Sequence, residues 1–165
     1  MKGYSLIELI MTLVLLGILT WVGIAVMLSG TDAYIFFNQR KDILSDARLG
    51  LDRMSREIRM IKDTTSIITA NQETFSFIDT SDTAITFTLS SGVVNRIANG
   101  VTNSLLGNVN SLTFTYYDSS DNPILSAIVA PSNTNVRRIR IDINMSSASS
   151  NTVNIQSDVW PRNLI

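Results

Sequence analysis

The stretch from Leu9 to Leu28 holds no charged residue, and it begins directly after a glutamate, Glu8. As a helix, those residues rise roughly 30 Å, the thickness of a bilayer core. A chain built this way has to place one end in an apolar medium. The rest of the sequence alternates apolar and polar residues normally, so the mean hydropathy of +0.21 is set by that one end. Two plain readings exist: a transmembrane anchor, or a secretory signal that is removed. For the second, Met27-Leu28-Ser29-Gly30 is a poor small-x-small cleavage site. Neither accounts for Glu8. An acidic side chain costs on the order of 3 kcal/mol at the centre of an inserted helix, less near its end, and marks a functional position by default.

The residues around Glu8 are more specific. Lys2 is the only charge before it, and the run reads Gly3-Tyr4-Ser5-Leu6-Ile7-Glu8. This resembles the class III signal of type IV pilins and pseudopilins. The resemblance implies a leader of residues 1–3, peptidase cleavage after Gly3, N-methylation of Tyr4, and Glu8 as the fifth mature residue. The family usually has Phe where this chain has Tyr4, so the aromatic ring is kept. A free α-amino group on Tyr4 is protonated below about pH 8. In an apolar setting it needs a counter-charge, and Glu8 of a neighbouring subunit can supply one. Two buried charges that are each costly alone become tolerable as a pair. Glu8 then sets the axial register of a filament.

No proline interrupts the chain from Tyr4 to about Lys62, which predicts one long helix. Gly17, Gly23 and Gly30 lie within it. They serve either as sites of bending or as places of close helix packing. Leu9, Leu13 and Leu16 belong to the apolar packing face. Further on, Leu44, Ala47, Leu51, Met54, Ile58 and Ile61 recur at three- and four-residue spacing, an amphipathic stripe. A short coiled coil would use such a stripe, as would burial against a sheet, and the strand signals that follow favour the sheet. Asp52, Arg53, Arg56, Glu57 and Arg59 read as a solvated face, with Asp52–Arg56 and Arg53–Glu57 at i, i+4.

Beyond Lys62 the period changes to two. Phe75 and Phe77, Ile85 to Leu89, Leu112 to Tyr116 and Ile139 to Met145 alternate with polar residues, as half-buried antiparallel strands do. Ile124 to Ala130 reads as a more buried strand, and Val153 with Ile155 as a weaker last one. Turn signals fall at Ser91-Gly92, Asn99-Gly100, Asp118 to Pro123 and Pro131 to Asn135, and a loop at Ser146 to Asn151. The expected fold is α+β and pilin-like: a long N-terminal helix, half membrane-spanning and half amphipathic, packed on six to eight antiparallel strands. The expected divisions are a leader 1–3, a membrane and filament-core helix 4–29, and an extracytoplasmic domain 30–165.

Three further stretches are similar to the J-type minor pseudopilins of type II secretion and to related minor pilins. They are Asp52 to Arg59, Leu105 to Asp118, and the Arg-rich strand Val136 to Ile141. The resemblance implies an inner-membrane protein with a cytoplasmic N-terminus and an outer domain. It implies that the subunit helps initiate or form the tip of a filament. Its implied partners are other minor subunits, the major pilin, prepilin peptidase, the assembly platform and the lipid bilayer. Extreme tip subunits of the family typically lack the glutamate, so Glu8 argues against a capping role. The alternative is a bitopic membrane protein whose outer domain binds a partner or ligand, DNA included, without polymerising.

Enzymatic chemistry finds little support. The chain has no histidine and no cysteine, which excludes Ser-His triads and the commonest zinc ligands. Its net charge of -1 argues against a large nucleic-acid surface. Arg137, Arg138 and Arg140 are the densest basic cluster, read either as a DNA contact or as a solvated strand edge. Asp118, Asp121 and Asn122 offer closely spaced oxygens for calcium, but the same residues make a good turn. No cofactor is otherwise expected.

Overall fold

The structure is a computed structural model that describes residues 5–125, 128–129, 136–146 and 152–164, the side chains of 128–129 excepted. The chain divides into two compact units, residues 1–39 and 40–165. One helix, α1 (Leu6–Ile58), continues through the boundary.

In the first unit every described residue up to Asn38 is exposed. Thr12 donates its hydroxyl to Leu9 O, and Thr20 to Leu16 O, at 2.8 and 2.7 Å. Ser29 and Thr31 do the same to Ala25 O and Met27 O. These polar side chains are therefore satisfied within the helix, as an apolar surrounding requires. The helix passes unbroken through Gly17, Gly23 and Gly30, and a Cβ at any of them would meet no neighbour.

In the second unit α1 changes character. Ile43, Ala47, Gly50, Leu51, Met54, Ser55 and Ile58 are buried, while Leu44 is half-buried. The stripe is thus centred one position earlier at its start than the spacing predicts, on Ile43. The helix ends at Ile58 rather than near Lys62, and Ile61 joins the core from a bridge to Asp79. A short 3-10 turn, Thr64–Ser66, follows, capped by Asp63, whose Oδ1 accepts from Thr65 N.

Ten strands follow among the described residues. Sheet one runs β5-β4-β3-β2-β1-β8 and sheet two β10-β9-β6-β7. Strands β1 (Ile67–Ala70), β2 (Thr74–Ile78), β3 (Ala84–Ser90), β4 (Val93–Ala98) and β5 (Val101–Leu106) form a sequential antiparallel meander. Its tight turns follow local chemistry. Ser91-Gly92 and Asn99-Gly100 all have positive φ, which a two-residue hairpin turn of matching twist needs. At the other bends a side chain closes the loop. Asn71 Oδ1 accepts from Glu73 N and Thr74 N, and Asp79 Oδ1 from Ser81 N and Thr83 N.

Sheet two is built on β6 (Val109–Tyr117) and β9 (Arg138–Ser146), with β10 (Thr152–Val159) paired along its whole length to β9. The last strand is therefore not weak: each of its residues faces one on β9. The run Ile124 to Ala130 is not one buried strand. Its described parts are two-residue strands in different sheets, β7 (Pro123–Ile124) on β6 and β8 (Ile128–Val129) on β1. Leu125 between them is 88% exposed. Pro123, which cannot donate to a ladder, opens β7 at the edge of sheet two. Ala130, Pro131 to Asn135 and residues 147–151 of the expected loop lie outside the described residues.

The core sits between α1 and the inner faces of the sheets. Phe75, Phe77, Phe87 and Phe114 are essentially inaccessible. Phe75 joins the two sheets, with ring centroids 5.7 Å from Phe114 and 5.5 Å from Tyr116. Each such side chain contributes about 1.5–3 kcal/mol by leaving water. The fold is α+β, with the amphipathic half of α1 packed on antiparallel sheet, as the sequence predicts.

Candidate functional site

Two regions carry the sequence-based candidates: the start of α1, and a charged cluster on sheet two.

Helix α1 is long and apolar enough to cross a membrane, and none of its most hydrophobic window is buried within the protein. Leu9, Leu13 and Leu16 are 56%, 61% and 64% exposed. Apolar surface this continuous marks a face that meets lipid or another protein. Leu51 and Ile58 lie in the core instead, with Leu44 beside it. The packing residues therefore split between outward-facing and inward-facing sets. Gly3 and Tyr4 lie outside the described residues.

Glu8 is exposed, and its Oε2 stands 3.5 Å from Ser5 N, which donates. Glu8 N and Leu9 N both donate to Ser5 O. Ser5 is thus the N-cap and Glu8 the third helical residue, whose carboxylate reaches back as in half of a capping box. Sequence reasoning gave Glu8 only an intermolecular role. The pattern Ser-x-x-Glu before an apolar run was the signal for this local one.

On sheet two, Arg138 is 8% exposed. Its guanidinium donates to Asp121 Oδ1 at 2.6 Å and Asp158 Oδ1 at 2.7 Å, and lies 3.6 Å from the centroid of the Tyr117 ring. Arg140 donates to both oxygens of Asp158, at 3.0 and 3.2 Å. Arg137 donates to Leu164 O at 2.9 Å. The three arginines are therefore not a solvated edge. The strand β9 that begins at Arg138 is flanked on both sides, and each arginine is held by an internal acceptor. Hydrogen bonds from Arg140 first, and from Arg138, hold Asp158 below the ordinary carboxylate range against the opposing effect of burial.

The loop Asp118 to Asn122 is organised as a turn. Asp118 Oδ1 accepts from Ser120 N and Asn122 N, and the bond from Asn122 N leads the causes that lower its pKa. Asp121 has φ 64° and gives its carboxylate to Arg138. A cation drawing on Asp121 would compete with a guanidinium already seated there, so these oxygens suit the turn better than calcium. Among the described residues, no three His, Cys, Asp or Glu side chains converge as a metal site would need.

Glu57 also departs from expectation. It is not part of a solvated face. Arg96 Nε on β4 donates to both its oxygens, at 2.9 and 2.7 Å, and Arg53 Nε adds a contact at 3.2 Å. Asp52–Arg56 forms the predicted exposed pair at 3.1 Å.

No family model matches this sequence, and no curated protein matches it.

Proposed function

We propose that this chain is a minor, non-capping subunit of a type IV pilus or of a type II secretion pseudopilus. In this reading the peptidase cuts after Gly3, Tyr4 becomes the N-methylated first residue, and the domain beyond the membrane is extracytoplasmic. The observation that carries the reading is the position of Glu8. It is an exposed carboxylate at the first turn of a helix whose N-terminal apolar stretch is uncovered, and that same helix further on supplies the core stripe of an α+β domain. An anchor alone needs the apolar surface but not the carboxylate. A filament core needs both, because the charge fixes which turn of one helix faces which turn of the next. Mass spectrometry of the mature N-terminus tests this: N-methyl-tyrosine at Tyr4 supports it, and an intact Met1 ends it.

The second reading, a bitopic protein that never polymerises, draws on one specific observation. The contact between Glu8 and Ser5 N gives the carboxylate a local use that requires no neighbour.

A further inference from the structure

Strand β5 (Val101–Leu106) ends sheet one with its outer side open. Its inner side pairs with β4 from Ala98↔Val101 to Asn95↔Ser104. Ala98 and Val101 flank the two-residue turn Asn99-Gly100, so they exchange both backbone bonds, and the alternation runs on from there. Thr102 and Ser104 therefore direct N–H and C=O away from β4, where no described residue pairs with them. Folded chains ordinarily guard such an edge with a charged side chain or a proline. Val101-Thr102-Asn103-Ser104 has neither, and all four residues are exposed. An unguarded row of backbone donors and acceptors has one complement, another extended strand.

A second feature begins where the open edge ends. Beyond Ser104 the register on β4 shifts, so Leu105 is the extra residue of a bulge. The bulge follows the regular stretch and leaves Val101 to Ser104 in register. Leu105 and Leu106 line a groove of ≈ 290 Å³ together with Leu49 and Gly50 of α1. Leu49 is 67% exposed. Asp46 and Arg53 also line it, one charge of each sign, so the apolar surface decides what enters.

We infer that the open edge of β5 and the groove beside Leu49 form one docking site for an extended segment of a different polypeptide, which adds a strand beyond β5 and seats an apolar side chain in the groove. Main-chain hydrogen bonds to Thr102 and Ser104 supply the affinity, and the groove supplies the selectivity. A second copy of this chain suits the site poorly. Paired antiparallel, its β5 carries its own Leu105 to the far end of the edge and brings the polar turn Asn99-Gly100 to the groove. The inference stands apart from the filament reading, since a subunit and a bitopic protein would use such a site alike.

The probe is a short soluble peptide of alternating threonine and valine, with lysines at both ends and one leucine near its start. It is titrated into the isotope-labelled full-length chain in detergent. Saturation is expected to slow amide exchange at Thr102 and Ser104 by about tenfold or more. Alanine in place of the leucine weakens binding by about tenfold. N-methylation of the peptide's pairing amides abolishes it, a control that needs no protein variant. Thr102→Pro removes an outward N–H while sparing the bonds to β4, so it folds by thermal melt and does not bind. Leu49→Glu erases the preference for leucine over alanine. Unchanged exchange at Thr102 and Ser104 overturns the site, and so does equal binding of the leucine and alanine peptides. The partner's identity is read in native membranes with a photo-reactive side chain at Asn103. The expected adduct joins an extended segment of another polypeptide and is lost with Thr102→Pro. An adduct with a second copy, or no adduct, overturns the inference.

Discussion

Glu57 on α1 and Arg96 on β4, 39 residues apart in sequence, are joined by Arg96 Nε to both carboxylate oxygens. Their side chains are only 18% and 17% exposed. This is the charged link between the amphipathic half of the helix and sheet one. Replacing Arg96 by Met leaves a largely buried carboxylate with only Arg53. The expected loss is about 1–3 kcal/mol, read from denaturant unfolding of the protein in detergent. Arg56→Met, which removes an exposed pair, changes stability by less than about 0.5 kcal/mol. Equal effects from the two would mean that the burial at Glu57 has no energetic weight.

Glu8 has two candidate jobs, and glutamine separates them. Gln serves in a capping box nearly as well as Glu, but carries no charge. If Glu8 neutralises an α-amino group on a neighbour, Glu8→Gln and Glu8→Val both leave membrane insertion intact and both impair assembly. If it only starts the helix, Glu8→Gln assembles as the parent does. Membrane fractionation with a filament count reads both properties, and normal assembly of Glu8→Val would remove the intermolecular role.

Asp158 and Asp142 lie on the same face of sheet two and respond to pH in opposite senses. Asp158 has a lowered pKa, caused first by the hydrogen bond from Arg140. Its contribution is complete above the ordinary carboxylate value of about 4 and is lost as pH falls through its folded value. Asp142 is raised, chiefly by desolvation, with Arg140 opposing. Its folded form favours the proton, so its charge costs stability as pH rises through the ordinary carboxylate value of about 4, and the cost is complete above its folded value. Asp158→Asn is expected to lower the melting temperature at pH 7 and to flatten the acid limb. Asp142→Asn is expected to raise it at pH 7, with the gain vanishing below about pH 4. Melts between pH 3 and 8 check both signs.

Gly50 sits inside α1, where a Cβ would meet Leu106 side-chain atoms at 3.4 to 3.5 Å. That is ordinary contact with a flexible partner. Gly50→Ala is expected to stabilise by about 0.5–1 kcal/mol through helix propensity. Gly50→Leu overpacks the approach of β5 and costs about 1–3 kcal/mol. A destabilised alanine variant would show that Leu106 has no room to adjust.

The fold class, the long helix and the four best strands were legible because their periods are strong: 3.6 from Leu44 to Ile58 and two in Ile139 to Met145. Strands β1, β4 and β5 were not, although their turns at Ser91-Gly92 and Asn99-Gly100 were. Val101 to Ser104 is exposed on both faces, so it carries no alternation to read. The arginine cluster was misread for a different reason. The acceptors of Arg138 are Asp121 and Asp158, 17 and 20 residues away, and that of Arg140 is Asp158, 18 residues away, across a loop and a neighbouring strand. Glu57 was misread likewise, its partner being set by tertiary packing. The reach-back of Glu8 was local and could have been read from Ser5.

The sequential meander of sheet one has a consequence for how the protein is made. Strands β1 to β5 each pair with the next across a short turn, so they close small loops as soon as they are synthesised. Sheet two must wait, because β6 pairs with β9 by joining Tyr117 to Arg138. Its last strand, β10, comes from residues 152–159. A released chain truncated before Thr152 therefore holds a finished meander and a β9 whose outer edge is open, a template for pairing with other unfinished chains.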